Sequence, residues 1–343
     1  MPKPKIYLDI IKLDNKYSTT RRVIKELTVS EAQIKGRFNN FNLLPDNKER
    51  YAQGGLRTKG YYKCNEPDKP LFSIITVVYN GGRYLEKTIN SVINQTYDNV
   101  EFIIIDGGST DNSLDILYRY DEQIDYWVSE PDEGIYDAWN KAISCHLGEW
   151  INFQGADDYL FSEDVLENVA NKIIDGKYKV NIIYGDVVII NEQEMICEEL
   201  ISQWDKEKFI NEGIYFSHQG VFHNHNLFKT VGKFNPKLSI AGDYELLLRE
   251  LKNNDPIYMQ GIYISAMRQG GVSGSDENSV TAIKQLKESQ KENSVNSSPY
   301  KYYWILFKAY IKKYGYYFFG DVKTKKLINA YRKLSGRKKK WLV

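Results

Sequence analysis

The sequence predicts an α/β fold with a mostly parallel central sheet, and two patterns carry this prediction. Residues 72–79 and 100–105 are short, β-branched apolar runs, which are typical of strands buried on both faces. Between them, Leu85, Ile89 and Val92 recur at the spacing of one helical face. Strands that alternate with helices favour a parallel sheet with right-handed crossovers.

The same alternation predicts the later elements in chain order. Further helices are expected around residues 114–117, 135–145, 163–174 and 244–251. Further strands are expected at 125–129, 149–153 and 182–190, followed by an apolar and aromatic stretch at 214–222. Residues 273–299 are rich in Ser, Asn, Lys and Glu, which predicts a linker or a mobile helix.

A length of 343 residues favours one large domain with additions, or two domains. We predict an N-terminal extension over residues 1–70, without recognisable chemistry, that caps the main domain. The main domain is expected over 71–272, with halves at 71–160 and 161–272. Residues 273–343 are expected to form the linker and a basic, aromatic, helical C-terminal region.

Composition and charge exclude several classes of protein. Apolar residues make up 42% of the chain and charged residues 27%, so a sizeable core can form and wholesale disorder is excluded. The 46 Lys and Arg balance the 45 Asp and Glu, so the chain has no overall basic field for nucleic acid. The charge is unevenly divided, however. Residues 299–343 hold 13 basic residues and one acid, and this basic tail on an acidic body predicts an anionic partner.

Cysteine usage and the N-terminus bear on location. Cys64, Cys145 and Cys197 have neither metal nor redox spacing, which favours a reducing compartment. The N-terminus lacks an apolar signal core, and no run of 18 apolar residues occurs. We therefore expect a cytoplasmic protein. The P-loop, the dinucleotide-binding glycine fingerprint and the nucleophile-elbow motif are absent from the sequence.

Three polar clusters follow predicted strand ends: Asn80, residues 106–111, and the pair Asp157 and Asp158. The carboxyl ends of parallel strands lie at one edge of a sheet, where such folds bind ligands. Adjacent carboxylates there can hold Mg²⁺ or Mn²⁺ together with substrate phosphate oxygens. The alternatives are a solvated acidic turn for the Asp pair and a helix N-cap for Asp111.

Two further segments carry candidate side chains. Asp132 and Glu133 precede a predicted helix, and Asp137 and Lys141 lie four residues apart within it. This arrangement fits either dipole compensation with a surface ion pair, or a helix N-terminus and Lys141 that face a diphosphate. Asp243 lies at the start of another helix, as either an N-cap or a general base.

Three of the four histidines, His218, His223 and His225, lie close together in the sequence. A zinc site would need a further ligand at matching spacing, and none is present. We therefore expect strand residues, half of which face solvent, rather than a zinc site.

Taken together, these motifs resemble the family 2 glycosyltransferases of the GT-A fold over residues 72–249. Residues 73–80 resemble the first strand of that family, and residues 94–97 with 101–111 resemble its second strand and loop. The ordered set is more specific than any one motif. The resemblance implies a GT-A fold, a nucleotide-sugar donor, a divalent metal (Mn²⁺ or Mg²⁺) and inversion at the anomeric carbon.

The resemblance also implies roles for individual residues. Asp158, in the position of the family's Asp-x-Asp metal motif, would hold the metal against the donor diphosphate, and Asp157 would reach the ribose or the metal. Asp243, in the position of the catalytic base, would take the proton from the acceptor hydroxyl. Other donor-binding residues are expected at Val77, Tyr79, Asn80, Asp106, Asp132, Asp137 and Lys141, and acceptor-binding residues at His218, Gln219 and Tyr244.

One position departs from the family pattern. Many relatives place a second acid after the strand-two Asp, and that acid recognises uracil, but here the position is Gly107. Asp106 or Asp132 is left to substitute, so the nucleobase stays open, with a UDP-linked donor favoured. Residues 129–141 are similar to the subgroup that builds bacterial surface polysaccharides, which implies an oligosaccharide or polyprenyl-diphosphate-linked acceptor.

The C-terminal region combines charge with aromatic rings. Residues 299–343 hold 13 aromatic residues, and Trp304, Phe307, Ile311 and Tyr314 share one helical face. Aromatic rings favour the membrane interface and basic residues are attracted to anionic lipid, which predicts a peripheral, in-plane contact with the cytoplasmic face of a membrane. Packing of the aromatics on the main domain is an equal alternative, and the acidic body disfavours RNA binding.

Two other functions stay open from the sequence. One is a catalytically silent subunit that binds a sugar nucleotide or a glycan and docks at a membrane complex. The other is a glycoside hydrolase that uses paired carboxylates across a sugar. The order of predicted parallel strands and the lack of a secretion signal count against the hydrolase.

Overall fold

The computed structural model describes residues 10–25, 43–66, 68–214, 216–270 and 276–334. Its strands are β1 (Ile10–Ile11), β2 (Val23–Lys25), β3 (Ala52–Gly54), β4 (Tyr61–Tyr62), β5 (Phe72–Val78), β6 (Val100–Asp106), β7 (Tyr126–Ser129), β8 (Trp150–Gly155), β9 (Tyr159–Leu160), β10 (Ile182–Ile190), β11 (Ile196–Leu200), β12 (Val221–Asn224) and β13 (Ile257–Arg268). Its α-helices are α1 (Leu85–Ile93), α2 (Ser113–Arg119), α3 (Ile135–Cys145), α4 (Val165–Gly176), α5 (Lys206–Glu212), α6 (His225–Thr230), α7 (Gly242–Leu251), α8 (Asp276–Glu292) and α9 (Pro299–Leu334).

A ten-stranded sheet forms the centre of the molecule, in the order β3-β7-β6-β5-β8-β12-β10-β13-β9, with β11 paired to β10. Strands β7, β6, β5 and β8 are parallel neighbours, and β10 and β13 are parallel to each other. Strand β12 runs antiparallel between β8 and β10. The predicted α/β class with a mostly parallel central sheet is confirmed.

Each face of this sheet has its own hydrophobic core, because successive strand residues point to opposite faces. On one face, Ile103, Ile105 and Phe153 pack with residues of α3, α5, α6 and α7. On the other face, Phe102 and Ile104 pack with residues of α1, α2 and α4. Covered faces leave the two ends of the strands as the places where polar side chains can gather.

Most predicted elements have their observed counterparts within a few residues. The predictions for helix 135–145 and strand 182–190 have the bounds of α3 and β10. Helix α7 begins at Gly242, and its N-cap is Ala241, so the alternative of Asp243 as an N-cap is wrong. Strand β13 was missed, because Gln260 and Gly261 interrupt its apolar pattern.

The described part of the N-terminal 70 residues packs against the main sheet. Strands β1, β2 and β4 form a small sheet of their own, and β3 extends the central sheet beside β7. The Arg57 guanidinium forms a fully buried ion pair with Glu101 at the start of β6. Ser18 N–H donates a hydrogen bond to the Ile93 carbonyl at 2.7 Å. These contacts fix the segment across the amino ends of the central strands.

The C-terminal region is helical where it is described. Helix α8 lies within the segment predicted as a linker or mobile helix, and α9 follows it with non-helical dihedral angles at Gly320. Among the described residues, none of the helices combines the length and apolar character that a membrane span needs. Residues 335–343, which include Trp341 and the basic run at 337–340, lie outside the described residues.

Candidate active site

The loops after β5 and β6 are joined at the carboxyl edge of the sheet. Asn80 has a positive φ of 53°, and its side-chain oxygen accepts a hydrogen bond from Thr110 N–H at 2.8 Å. Its own N–H donates to Ser109 Oγ at 2.7 Å. Across the same gap, Asp111 accepts a hydrogen bond from Gly82 N–H at 2.9 Å. These bonds make the two loops one rigid floor.

Two predicted donor-binding residues, Val77 in β5 and Tyr79 directly after this strand, lie beside the joined loops. Val77 is half-buried and packs partly on the core, whereas the Tyr79 side chain is 68% exposed. Asn80, in contrast, uses its side chain to hold Thr110. Of these residues, Tyr79 offers the most surface to a ligand.

Asp106, at the end of β6, is completely buried and occupied by loop contacts. Its carboxylate accepts hydrogen bonds from Ser109 Oγ at 2.5 Å and from Ser129 Oγ at 2.5 Å. Ser109 N–H donates to it as well, at 3.1 Å. Asp106 therefore shapes the Gly107–Gly108 turn and presents little carboxylate surface to a ligand.

Asp132 lies over that same turn. A Cβ built on Gly107 would meet Asp132 Oδ2 at 2.3 Å, so the carboxylate fills the space that a side chain at position 107 would take. Its other oxygen accepts a hydrogen bond from Gly134 N–H at 2.8 Å. Burial raises the pKa of Asp132. The structure thus brings a carboxylate to Gly107 from a different loop.

Lys141 and Asp137 hold that loop in place. Lys141 Nζ lies 3.0 Å from Glu130 and 3.6 Å from Asp137, and it donates to the Pro131 carbonyl at 2.7 Å. Arg50 binds Glu130 from the other side at 2.9 Å. The ion pair between Asp137 and Lys141 is therefore present, and a contact of Lys141 with a diphosphate stays a prediction.

Asp157 and Asp158 converge on the loop after β8. A Cβ built on Gly155 would meet Asp158 Oδ2 at 2.8 Å and Asp157 Oδ1 at 3.0 Å. Asp158 is buried and accepts hydrogen bonds from Gln219 Nε2 at 3.1 Å and Arg268 N–H at 3.0 Å, whereas Asp157 is half-buried. Burial, together with the neighbouring charge of Asp157, raises the pKa of Asp158 to about 7.

This carboxylate pair fits a divalent cation. Within the described ranges, no three His, Cys, Asp or Glu side chains gather in an arrangement that could hold a metal ion. Mg²⁺ and Mn²⁺ usually take one or two carboxylates from the protein and the remaining oxygens from water and substrate phosphates. A cation would also stabilise the ionised form of Asp158, whose pKa is raised by burial and by the charge of Asp157. Asp157 and Asp158 suit an ion that arrives with a diphosphate.

Asp243 is the second residue of α7 and is half-buried. Its Oδ1 accepts a hydrogen bond from Tyr244 N–H at 2.7 Å, and burial raises its pKa to about 6. The Tyr136 ring packs beneath Gly242, and its hydroxyl donates to the Ile240 carbonyl at 2.5 Å. Asp243 is thus ionised at neutral pH, fixed at a helix start and basic enough to accept a proton.

An aromatic wall includes one of the predicted acceptor-binding residues. The His218 ring is buried, with ring centroids 5.1 Å from Trp139 and 5.6 Å from Phe153. Burial lowers the pKa of His218 well below its ordinary value, so the imidazole is neutral. His223 is buried too, and the expected alternation of histidines between core and solvent is wrong here.

The two other predicted acceptor-binding residues have different surroundings. Gln219 contacts Asp158, so it lies beside the carboxylate pair. Tyr244 is 2% exposed, and its hydroxyl accepts a hydrogen bond from Gln290 Nε2 of α8 at 3.0 Å. The structure therefore does not bring Tyr244 to an exposed surface of the site.

Arg268, which lies at the end of β13, was not among the predicted site residues. The Arg268 N–H donates a hydrogen bond to Asp158. The Arg268 guanidinium lies 4.1 Å above the Tyr84 ring and 3.6 Å from Glu194. Glu194 also pairs with Lys87 on α1. The available signal was an arginine directly before Gln-Gly-Gly, but it has meaning only once β13 is known to end beside β8's loop.

Comparisons with known proteins bear on the family and the fold. The model of the family "Glycosyl transferase family 2" matches residues 73–228. The PGL/p-HBAD biosynthesis glycosyltransferase of Mycobacterium bovis is 29% identical over 215 residues, which cover 60% of this chain and 80% of that protein. An uncharacterized glycosyltransferase of Rickettsia typhi is 27% identical over 234 residues, which cover 64% of this chain and 69% of that protein.

The fold has solved counterparts as well. The crystal structure of S. aureus TarS 1-349 in complex with UDP aligns with a TM-score of 0.51 and 16% identity, over 76% of this chain and 78% of that one. The structure of S. aureus TarS aligns with the same TM-score over 48% of its length. At this level of identity the likeness concerns the fold.

Proposed function

We propose that the chain is an inverting, metal-assisted transferase, because the model of glycosyl transferase family 2 matches residues 73–228 and the fold is GT-A-like. It moves a sugar from a nucleotide-diphosphate sugar, with a UDP-linked sugar favoured, to an acceptor hydroxyl. The observation that carries this proposal is the convergence of Asp157 and Asp158 over Gly155 at the carboxyl edge of the sheet. Asp243 supplies a separate carboxylate with a pKa of about 6.

Asp157 and Asp158 would hold Mn²⁺ or Mg²⁺ together with oxygens of the donor diphosphate. Such an ion, when bound, neutralises the charge that develops on the leaving diphosphate. Gln219 Nε2 and Arg268 N–H fix the orientation of the Asp158 carboxylate by one hydrogen bond each. Positioning of this kind keeps the ligand oxygens aimed at one point before the substrate arrives.

Asp243 acts as the general base in this proposal. The acceptor oxygen forms a bond to the anomeric carbon on the face opposite the diphosphate, and the bond between that carbon and the diphosphate oxygen breaks. The nucleoside diphosphate leaves with the electron pair, and Asp243 takes the acceptor's proton. A single displacement inverts the anomeric configuration. The base needs correct placement more than a high pKa, because the hydroxyl becomes acidic only as the bond forms.

The acceptor is proposed to be a hydroxyl of an oligosaccharide or of a lipid-linked, polyprenyl-diphosphate type of glycan. His218 and the neighbouring Trp139 ring would border it. The buried His218 Nε2 and Trp139 Nε1 have no hydrogen-bond partner among the described residues. Polar atoms of this kind favour a hydroxyl-bearing ligand over an apolar one.

Contact with an anionic membrane is proposed for the C-terminal region, and the exposed face of α9 supports it. Six large side chains recur at intervals of three and four residues, and each is between 46% and 77% exposed: Tyr300, Trp304, Phe307, Ile311, Tyr314 and Phe318. Tyr302, Ile305 and Ala309 on the other side are half-buried or buried. The apolar stripe of α9 therefore faces away from the protein, where a membrane interface could bury it.

Charge on α9 favours an anionic surface. Lys308, Lys313, Lys323 and Lys326 are exposed on the helix. Lysines near a membrane surface are attracted to anionic headgroups by about 1 kcal/mol each. Aromatic residues prefer the headgroup level. The enzyme would then work peripherally on the cytoplasmic face, where a lipid-linked acceptor is within reach.

Donor hydrolysis tests the enzymatic proposal without knowledge of the acceptor, because water can replace the acceptor hydroxyl. A panel of nucleotide sugars is incubated with the wild type, Asp158→Ala and the control Asp175→Ala, an exposed acid on α4, with and without Mn²⁺. We expect metal-dependent turnover of one donor that is lost only in Asp158→Ala. Metal-dependent binding without turnover in any assay would favour the silent subunit, and no binding at all would overturn the site.

Vesicle sedimentation tests the membrane contact. The triple variant Trp304→Ser, Phe307→Ser and Ile311→Ser removes the middle of the stripe and leaves the carboxylates untouched. We expect the wild type to sediment with phosphatidylglycerol vesicles and the variant to stay in solution, with donor hydrolysis unchanged. If the wild type does not sediment with these vesicles, the proposed contact with an anionic membrane is wrong.

A further inference from the structure

We propose that the nucleobase of the donor stacks on Tyr51 and donates a ring N–H to Asp132 above the Gly107–Gly108 turn. The site would then take uracil or guanine, which carry a ring N–H on their pairing edge, in preference to adenine or cytosine, which do not. This inference rests on the proposed function, because it assumes a nucleotide-sugar donor. It assigns a ligand contact to a residue that lies outside the family match at 73–228.

The positions of the strand ends place the base at this turn. Strand β5 lies between β8, which ends at the Asp157 and Asp158 loop, and β6, which ends at Asp106. Neighbouring strands are about 4.8 Å apart, so the two loops are separated by about 10 Å along the edge. That separation suits a nucleotide whose diphosphate lies at Asp158 and whose base lies at Gly107.

Tyr51 is held rigidly but leaves its ring open. Its N–H donates to the Ser129 carbonyl at 2.8 Å, and the preceding Arg50 forms a nearly buried ion pair with Glu130. The Tyr51 side chain is nevertheless 65% exposed. A Cβ built on Gly108 would lie 2.9 Å from the Tyr51 ring, so the ring borders the turn. An exposed aromatic face on fixed backbone is a stacking platform for a base.

Gly107 and Gly108 leave room for the nucleobase, and Asp132 supplies a hydrogen-bond acceptor for it. Gly108 has a φ of 82°, a conformation that favours glycine, and neither residue of the turn projects a side chain. Asp132 Oδ1 accepts from Gly134 N–H, and no hydrogen bond to Oδ2 is recorded within the described parts of the chain. A carboxylate oxygen only accepts, so it favours a base edge that offers a ring N–H over one that offers a lone pair.

Calorimetric titration with Mn²⁺ and UDP, GDP, CDP or ADP tests the inference. We expect the wild type to bind UDP or GDP at least about tenfold more tightly than CDP and ADP, since hydrogen bonds to charged groups are the stronger kind. Tyr51→Ala should weaken the favoured nucleotide about tenfold, as expected from the loss of base stacking, and Tyr51→Phe should restore it. Tyr118→Ala, which removes another tyrosine that is 56% exposed, is the matched control.

Two variants test Asp132 as the hydrogen-bond acceptor for the nucleobase. Asp132→Asn should reduce the discrimination between UDP or GDP and the other two nucleotides. Gly107→Ala should do the same with Asp132 intact, because the added Cβ would lie 2.3 Å from Oδ2 and displace the carboxylate. Thermal unfolding of each variant confirms that it is folded.

The outcomes separate this inference from the proposed function. If the wild type binds none of the four diphosphates with Mn²⁺, the proposed function fails and the inference fails with it. If the wild type binds one of them but Tyr51→Ala and Asp132→Asn bind as the wild type does, the base subsite alone is overturned. Weakening by Tyr79→Ala in place of Tyr51→Ala would also overturn it, because Tyr79 would then be the platform.

Discussion

Two buried carboxylates at opposite ends of the central sheet, Glu101 and Asp158, have opposite surroundings. At the amino end, Glu101 is completely buried and forms an ion pair with the equally buried Arg57. It also accepts hydrogen bonds from Ser73 Oγ and from Leu147 N–H. The charge of Glu101 is thus compensated within the chain.

At the carboxyl end, Asp158 lacks such a counter-charge. Asp158 is 3% exposed, yet its two hydrogen-bond donors, Gln219 and the Arg268 backbone, are neutral amides. Asp243 accepts one backbone hydrogen bond, and no ion pair to either aspartate is recorded in the part of the chain that the structure describes. Burial raises the pKa of both. Carboxylates that are buried without a counter-charge are candidates for ligand or metal sites.

The largest expected effect concerns the amino end. Glu101→Gln leaves the buried Arg57 charge without its counter-charge, so the free energy of unfolding should fall by about 3–5 kcal/mol in urea denaturation. The control Glu122→Gln affects an acid that is 81% exposed and lies 3.7 Å from Lys59, and its effect should stay below about 1 kcal/mol. Equal effects of the two changes would contradict the contrast between the sheet ends.

Asp243→Asn should show the next largest effect, on rate rather than stability. Loss of a general base lowers turnover by about 100-fold or more. With a pKa of about 6, Asp243 is ionised above that pH, so wild-type turnover should fall about tenfold per pH unit below 6 and level off above it. The measurement uses saturating Mn²⁺ to keep Asp158 ionised. A pH profile that Asp243→Asn leaves unchanged would assign the base elsewhere.

Asp158→Asn should change stability in the direction opposite to Glu101→Gln. Because the pKa of Asp158 rises from 3.8 to about 7 on folding, the folded state binds the proton more tightly, and wild-type stability falls as pH rises through that window. Without metal at pH 8, the variant should therefore be more stable by about 1–2 kcal/mol, and this advantage should vanish near pH 4.

Nucleotide binding distinguishes this effect from a general gain in stability. Asp158→Asn should lose Mn²⁺-dependent binding of nucleoside diphosphates while it gains stability at pH 8. A variant that is less stable than the wild type at pH 8 would mean that Gln219 and Arg268 N–H compensate the carboxylate fully. The carboxyl end would then resemble the amino end.

Features of the site that depend on local sequence pattern could be predicted from the sequence. Strands β5, β6 and β8 are continuous apolar runs followed by polar residues, so the edge with Asp157 and Asp158 follows from local pattern and parallel order. The ion pair of Asp137 and Lys141 is local too, since it spans one helical turn.

Long-range contacts could not be predicted in this way. The bond between Asp158 and Arg268 N–H joins residues 110 positions apart and depends on β13, whose pattern is broken by Gln260 and Gly261. Tyr51 reaches the Gly107–Gly108 turn only because β3 pairs with β7. Periodicity identifies which side chains are buried, but strand pairing decides which of them meet.

The smallest expected effect concerns the ion pairs of Glu194 with Lys87 and Arg268. Glu194, in the turn between β10 and β11, pairs with Lys87 and lies 3.6 Å from the Arg268 guanidinium. Since the Arg268 backbone binds Asp158, a bound diphosphate would compete with Glu194 for this cation. Glu194→Gln should therefore tighten the binding of a nucleoside diphosphate about two- to fivefold at low salt, less at high salt, in calorimetry.

Glu192→Gln is the matched control for this change. Glu192 comes from the same turn, but its contact at 4.0 Å is with the exposed Arg83, so its loss should leave binding unchanged. Weaker binding by Glu194→Gln alone would mean that Glu194 holds Arg268 in its working position instead of competing for it. Arg268 would then be compensated within the chain, and the uncompensated part of the carboxyl end would shrink to Asp157, Asp158 and Asp243.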